Sequence, residues 1–441
     1  MPDGLYWDRE VETMPLAGLR RLQWEKLQAQ LAYVYDRSPF YRRKFQEAGV
    51  TSGDIKSPRD MAKLPFTRKD ELRCNVEERQ PFGDFVAAPR LDIVRLHTSS
   101  GTTGKPTTML WTRRDLDRWA DMYARLAYSH GVRPGDIYQN AFSFGWFVAG
   151  MGGMAAYERI GCLCIPTGIG EARRQIATIR EYGTTAMSCS PSFILYLAEV
   201  AREEGVNPAD LTLRKILIGG EPGGAIPETR RRVERAWNAK CFDGYGSLEF
   251  QPIAWECAEQ AGNHICEDYM LAEVVHPSSG EPLPPGKEGV LVLTHLDKEA
   301  TPLVRWWTGD VVELAEEPCG CGRTHARLVG GVRGRADDML IVRGVNLFPS
   351  AIESVLRGIP GLGNEFQIII DDEVYDPATR GLRSLKLIAE YTSEMADLDL
   401  MCARIAREIR DRLVVSVQAE VVLVGTLPRT MVKAARVVRR V

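Results

Sequence analysis

Residues 96–106 read Leu-His-Thr-Ser-Ser-Gly-Thr-Thr-Gly-Lys-Pro and follow a strand-like run of Ile93, Val94 and Leu96. Hydroxyls alternate with glycines, and one lysine stands just before a proline. A loop of this kind suits a polyphosphate. Gly101 and Gly104 let backbone N–H groups approach the anion, Ser99, Ser100, Thr102 and Thr103 add donors, and the Lys105 ammonium offsets charge. It is not a Walker A loop, because the spacing is shorter and Pro106 takes the place of the magnesium-binding hydroxyl. Taken alone, the same composition also describes an ordinary surface turn.

A second group fits a metal. Cys319 and Cys321 are near neighbours in a Pro-Cys-Gly-Cys-Gly turn, with Cys257 and His264 forming a Cys-x6-His pair upstream. Together they can close the tetrahedron of three sulfurs and one nitrogen found in structural Zn2+ sites, with Cys266 a competing ligand and inert free thiols the alternative. Such a metal is expected to pin the surrounding β structure and to take no part in catalysis.

These groups need an α/β body to position them. Residues 16–34 place Leu16, Leu19, Leu22, Leu27, Leu31 and Val34 near helical spacing; Pro39-Phe40-Tyr41 breaks the pattern, and Ser57-Pro58-Arg59-Asp60 looks like a helix start. A helix is expected over 114–128. Strands near 162–166, 184–188, 215–218 and 240–243 then alternate with helices at 171–182, 192–204 and 228–237, which implies a parallel sheet with helices on its faces. Glycine-bearing turns, Gly219-Gly220-Glu221-Pro222 and Gly244-Tyr245-Gly246-Ser247-Leu248-Glu249, end two of the strands, where ligands sit in such sheets. Beyond residue 277, turns and β-like pieces such as 289–294 indicate a smaller β subdomain, and 330–338 reads as a linker. Strands at 339–342, 366–370, 385–391 and 420–424, with helices near 350–357 and 400–413, make a small α+β domain.

Composition narrows the function. The 441 residues carry 56 basic and 59 acidic side chains, net −3, so no basic excess is available for nucleic acid. There is no signal-peptide pattern and no apolar run of transmembrane length, so the expected location is the cytoplasm and the ten cysteines are expected to be reduced thiols.

With residues 98–105, 245–249, Thr308-Gly309-Asp310, 334–346 and Lys433 in this order, the chain resembles the acyl-adenylate-forming superfamily. Glu267-Asp268, residues 337–346 and Phe348-Pro349 resemble its phenylacetate:CoA ligase branch. The resemblance implies an α/β enzyme with a large N-terminal domain, residues 1–335, and a small mobile C-terminal domain, residues 336–441. It implies ATP, Mg2+ and coenzyme A as cofactors, an aryl carboxylic acid as substrate, and it allows a homodimer. A carboxylate would attack the α-phosphate of ATP and expel pyrophosphate, and the thiol of coenzyme A would then displace AMP. Residues 98–105 match the loop that holds the β- and γ-phosphates, and Glu249 matches the Mg2+ ligand. Asp243, Tyr245, Gly246 and Ser247 match the adenine and phosphate contacts, with Gly220, Glu221 and Pro222 as the opposite wall. Asp310 matches the ribose-binding aspartate, Arg335 its neighbouring arginine, and Asp337 the hinge. Lys433 matches the lysine that bridges the carboxylate and the α-phosphate. After rotation at the hinge, residues 342–346, including Gly344 and Asn346, would face the thiol. Members of this branch that carry Cys-x-Cys-Gly-Arg hold zinc, which favours the metal reading of the cysteine cluster.

Residues 141–147 correspond to the family's acid pocket, with Phe142, Phe144, Gly145, Trp146 and Phe147 as its lining. Aromatic walls beside a glycine leave room for a flat ring. The segment departs from the family's Tyr-Gly-Tyr-Gly-Leu-Phe, so phenylacetate leads among several aryl acids. Leu248 stands where a hydroxyl usually precedes the magnesium glutamate, Val432 where a glycine precedes the lysine, and Gly223 where Trp is frequent. Two alternatives therefore stay open: an enzyme that loads a carrier protein or another nucleophile, and a nucleotide-binding homologue with impaired catalysis.

Overall fold

The leucine spacing near the start of the chain becomes the helix Leu16–Arg37, which buries Leu19, Leu27, Leu31 and Val34. Pro39 ends that pattern and also opens a helix of its own, Pro39–Glu47. Its fixed φ and missing N–H suit a first helical turn, and the Ser38 hydroxyl accepts from the Tyr41 N–H. The computed structural model describes residues 4–99, 106–375, 382–392, 397–429 and 436–440. Lys433 and the loop positions Ser100, Gly101, Thr102, Thr103, Gly104 and Lys105 lie outside the described residues.

The alternating stretch forms parallel strands Ile137–Asn140, Leu163–Ile165, Ala186–Cys189, Lys215–Gly219 and Lys240–Tyr245. The first of these lies between the second and the third, so the order reverses there and a crevice opens at the carboxyl ends. Helices Ala172–Tyr182, Pro191–Glu203 and Pro227–Trp237 pack on the sheet; the buried Trp237 indole donates to the Ile194 carbonyl at 3.1 Å. Beyond Tyr245 the sheet continues antiparallel through Ala254–Trp255, Asn263–Ile265, Arg327–Leu328, Trp306–Ala315, Glu288–His295 and Met270–Val275, giving one 12-stranded sheet. The β subdomain is thus joined edge to edge with the parallel part.

The glycine-rich stretch at 330–338 is only partly a linker. Gly334–Arg335 forms a short strand on Trp306–Ala315, setting Arg335 opposite Asp310. The small domain follows. Leu362–Asp371, Leu385–Tyr391, Val417–Leu423 and Val437–Arg440 form a four-stranded sheet, and helices Pro349–Arg357 and Leu398–Leu413 share its core with Ile368, Ile370 and Leu387. The last strand reads in the sequence as part of a basic tail, yet Val437 and Val438 pair in parallel with Ile368 and Ile369. Among the described residues no helix is long and apolar enough to cross a membrane.

Candidate active site

The described strands on either side of the phosphate-loop candidate form a hairpin. Strands Ile93–Thr98 and Thr108–Thr112 pair antiparallel, and Ser99 closes them: its N–H donates to the Thr107 carbonyl at 3.0 Å and its hydroxyl accepts from the Thr107 N–H at 2.9 Å. The hairpin is fastened to the segment leaving the first parallel strand. The Thr98 N–H donates to the Trp146 carbonyl at 3.0 Å, and His97 Nδ1 lies 3.2 Å from the same oxygen. The strand Ile93–Thr98 and the aromatic segment therefore meet beside the point where the strand order reverses.

In that segment the Asn140 side chain accepts from the Phe142 N–H at 2.9 Å, turning the chain out of the strand. Phe142, Phe144 and Phe147 are half-buried and Gly145 is exposed. A Cβ added to Gly168 would meet the Phe144 ring at 3.2 Å, so that glycine makes room for the ring, and Phe142 lies beside the Gly220 turn, 3.9 Å from where a Cβ would stand. Trp146 departs from the expected lining. It is 66% exposed, and the group it commits to the site is its backbone carbonyl.

Residues from distant turns converge beside it. The Tyr245 hydroxyl donates to Asp310 Oδ2, and Arg335 Nη1 lies 3.3 Å from Asp310 Oδ1. Burial and the Asp310 carboxylate push the Tyr245 hydroxyl well above its usual pKa, which keeps it a donor. Arg335 also forks onto Asp337 at 2.8 and 3.1 Å, so the expected ribose and hinge residues share one guanidinium. Glu221 Oε1 accepts from the Ser192 N–H at 2.8 Å, and with Pro222 it borders a cleft whose other side is Pro349, Ser350 and Arg436 of the small domain. Gly246 lies so close to Gln251 that a Cβ would come within 2.9 Å, and Ser247 accepts from the Phe250 N–H at 3.1 Å. Gly344 and Asn346 stand apart from these groups, on the hairpin Leu340–Val342 and Val345–Leu347, where both are exposed. Gly344 turns the hairpin with φ +81°, and a Cβ there would meet nothing within 4 Å.

Glu249 is buried, and its Oε1 has no hydrogen-bond partner among the described residues; the Lys69 ammonium is 3.9 Å away. A buried carboxylate oxygen left in this state fits a cation ligand. Asp243 is buried too, and burial raises its pKa against the pull of Asn263 and Arg230. The Asn263 amide donates to Asp243 Oδ2 at 2.8 Å, and Glu256 Oε2 accepts from the Asp243 N–H at 2.9 Å. Lys69, Asn263 and Glu256 carry no sequence signal: these two partners of Asp243 stand 20 and 13 positions away, Asn263 in a strand and Glu256 just after one, and strand pairing brings them back.

Those partners directly precede two of the metal candidates. Single ligand atoms of Cys257, His264, Cys319 and Cys321 all lie within 4.8 Å of one another, with Cys257 Sγ 3.8 Å from Cys319 Sγ and Cys321 Sγ 3.5 Å from His264 Nε2. The His264 Nδ1–H faces the His325 carbonyl at 3.3 Å, so Nε2 is the nitrogen offered to the cluster. Cys266 does not join it; that thiol is packed in the apolar core with Ile265 and Met270. The Glu267-Asp268 pair is a brace. Asp268 takes a two-pronged Arg125 contact at 2.8 and 3.2 Å, and Glu267 accepts from the Ala326 N–H at 2.6 Å.

Residues 27–295 match the family model described as AMP-binding enzyme, and residues 344–440 match the AMP-binding enzyme C-terminal domain. The phenylacetate-coenzyme A ligase of Thermus thermophilus is 40% identical over 440 residues, covering 97% of each chain. A solved 2-hydroxyisobutyryl-CoA ligase in the postadenylation state, in complex with 2-HIB-AMP, superposes with a TM-score of 0.94 at 31% identity, over 99% of this chain and 93% of that one. In the thioesterification state, with 2-HIB-AMP and CoA, that ligase superposes at 0.75 and 32% identity, over 100% and 94%. With the Thr98 hairpin fastened to an aromatic segment beside the switch point of the sheet and both family models matched, the chain belongs to the AMP-binding enzymes, in the phenylacetate-CoA ligase branch of the AMP-forming acid–thiol ligases.

Proposed function

We propose that this ligase activates an aryl or arylacetic acid, with phenylacetate the first candidate, and transfers it to coenzyme A. The observation that carries the reading is the half-buried pair Phe142 and Phe144, set against Gly220 and Gly168, in the segment whose Trp146 carbonyl is held by the Thr98 N–H. Half-buried rings against glycine make a flat apolar slot, and the nucleotide wall lies at its open side. The T. thermophilus relative, named for phenylacetate, supports this choice.

In the first half-reaction a carboxylate oxygen bonds to the α-phosphorus of ATP and the bond to pyrophosphate breaks. Residues 98–105 hold the departing phosphates. Asp310, kept in place by Tyr245 and Arg335, accepts from the ribose hydroxyls, and Asp243 with the 220–222 turn flanks adenine. Glu249 would hold Mg2+, which supplies charge neutralisation between the phosphates. Lys433 bridges the carboxylate and the α-phosphate, adding a donor where negative charge develops. In the second half-reaction the thiol sulfur bonds to the acyl carbon, AMP leaves with the bonding pair, and the thiol proton is released. Residues 336–441 turn at Asp337 between the two, bringing the Gly344–Asn346 tip toward the thiol. The different fits to two states of one solved ligase support that motion. Cys257, His264, Cys319 and Cys321 would hold a structural Zn2+, a donor set matched to that ion.

The test is acid-dependent exchange of pyrophosphate into ATP across a panel of aryl and short aliphatic acids, followed by product assay with and without coenzyme A. Fast exchange with arylacetates and formation of their CoA thioesters is expected. Exchange driven only by aliphatic acids would overturn the substrate assignment, and exchange without any acyl-CoA would overturn the acceptor.

A further inference from the structure

The small domain is held to the large one by groups that the adenylation chemistry does not use. Arg232, on the helix Pro227–Trp237, sends its guanidinium across the boundary. It donates to the Arg357 carbonyl from Nε at 3.1 Å and from Nη2 at 2.7 Å, and to Gly363 O at 3.2 Å and Asn364 Oδ1 at 3.3 Å from Nη1. The Arg357 carbonyl ends the helix Pro349–Arg357, so a cation there also meets the negative end of the helix dipole. On the neighbouring large-domain helix, Pro191–Glu203, Glu199 Oε1 accepts from the Asn364 amide at 2.5 Å, and Glu199 Oε2 lies 3.5 Å from Arg429 Nη2.

Arg429 and Arg436 bracket the segment that contains Lys433. Arg429 is anchored inside the small domain on the buried Glu390 at 2.8 Å, and Arg436 on Glu365 at 2.6 Å. The contact from Glu199 therefore reaches the root of the lysine segment. From these contacts we infer that Arg232 and Glu199 form a releasable latch, a pair of positioning residues that hold the small domain in the orientation shared with the solved ligase's postadenylation state, the one in which Lys433 would serve adenylation. The inference rests on the reading that residues 336–441 rotate between half-reactions.

The chemistry of the contacts suits release. Arg232 meets backbone carbonyls and an amide across the boundary, and burial together with Arg357 brings its pKa to about 10, so it stays charged at neutral pH. When the domains part, the guanidinium and the carbonyls can each be hydrated, and no buried ion is left without a partner. Glu199 loses a partly exposed ion pair, whereas Arg429 keeps Glu390. A fully buried pair such as Arg125–Asp268 could not open in this way, because separating it would strand a charge.

The latch makes the two half-reactions respond differently. In the full-length enzyme, Arg232→Ala is expected to lower acid-dependent pyrophosphate exchange about tenfold, ~1.4 kcal/mol of lost preference for the docked orientation. Thioester formation from supplied phenylacetyl adenylate and coenzyme A should hold or rise. Arg232→Lys, which keeps the charge and loses the fork, should fall between, and Glu199→Gln should shift the same ratio less. The readout is that ratio, measured with the acid that drives wild-type exchange fastest. Equal loss in both half-reactions, or no change in either, overturns the latch. Lys433→Ala run alongside separates the two failures. If it too damages both half-reactions alike, the rotating-domain reading falls; if it splits them and Arg232→Ala does not, only the latch falls.

Discussion

Two places in this enzyme gather groups that ordinarily need a partner, and they are finished to different degrees. In the thiol–imidazole cluster all four ligand atoms face one another within 4.8 Å, and the imidazole is oriented by a backbone carbonyl. In the nucleotide site the parts do not close on themselves. Glu249 buries an oxygen with no hydrogen-bond partner among the described residues, and Asp310 is steadied by Tyr245 and Arg335. On the proposed reading the lysine of the site, Lys433, comes from the other domain. The first arrangement has its donor atoms together within one domain and would serve stability; the second would be completed by substrate, cation and domain position, and would serve turnover.

The strongest way to break this contrast is Lys433→Ala. If the lysine acts only when the small domain is docked, its loss should cut pyrophosphate exchange by about 10²–10³, the scale of one charge-stabilising donor, and leave the melting temperature unchanged. Thioester formation from supplied adenylate should survive. A matched fall in both half-reactions would mean that the lysine's part is not confined to adenylation. Glu249→Gln sharpens the contrast from the other side. Exchange should fall about 100-fold, with a raised Mg2+ requirement, while stability changes by less than about 1 kcal/mol, because the Glu249 carboxylate has only a long ion pair to a half-exposed Lys69 to lose. A marked loss of stability would show that Glu249 is a structural residue.

Cys319→Ser should behave in the opposite way. Removing one ligand from a closed structural cluster is expected to lower stability by about 3 kcal/mol, with stoichiometric zinc lost from the purified protein. Activity of the folded fraction at low temperature should fall only a few fold, roughly 1 kcal/mol or less, because the cluster reaches Asp243 indirectly, through Asn263 and Glu256, the residues that precede His264 and Cys257. Wild-type protein without zinc, or a variant as stable as wild type, would end the metal reading.

Sequence reading reached the two places unequally. The cluster was legible from a four-residue pattern, since thiolates and imidazole at that spacing have few other uses. Choosing His264 over Cys266 required the fold, because positions two apart on an extended segment leave the same side of the chain and only packing separates them. The parallel sheet was legible from alternating apolar runs, and the glycine turns marked its ligand edge. Three features were not. Val437–Arg440 mixes valine with arginine and looks like a solvated tail until Ile368 and Ile369 supply a partner strand. Trp146 reads as a pocket aromatic, yet its carbonyl is what the hairpin takes, leaving the ring outside. Arg232 reads as one of several arginines on a solvated helix, and only docking of the small domain gives it acceptors.

The smallest expected effect concerns the steadying of Asp310. Its carboxylate accepts from the Tyr245 hydroxyl at one oxygen and meets Arg335 at the other, so both oxygens are aimed before the ribose arrives. Tyr245→Phe keeps the aromatic ring and removes only that donor. Arg335 still faces the carboxylate, so Asp310 keeps an ion-pair partner and is merely less well aimed. A hydrogen bond to a charged group contributes about 1.5–3 kcal/mol, but water can replace part of it in an open site, so the KM for ATP should rise about fivefold with kcat nearly unchanged. The same change in the cluster, one donor lost from His264, would be felt in stability. Initial-rate kinetics at varied ATP decide the point. A fall in kcat with constant KM would place the tyrosine hydroxyl at the reacting phosphate, and Asp310 would then need no help to hold the ribose.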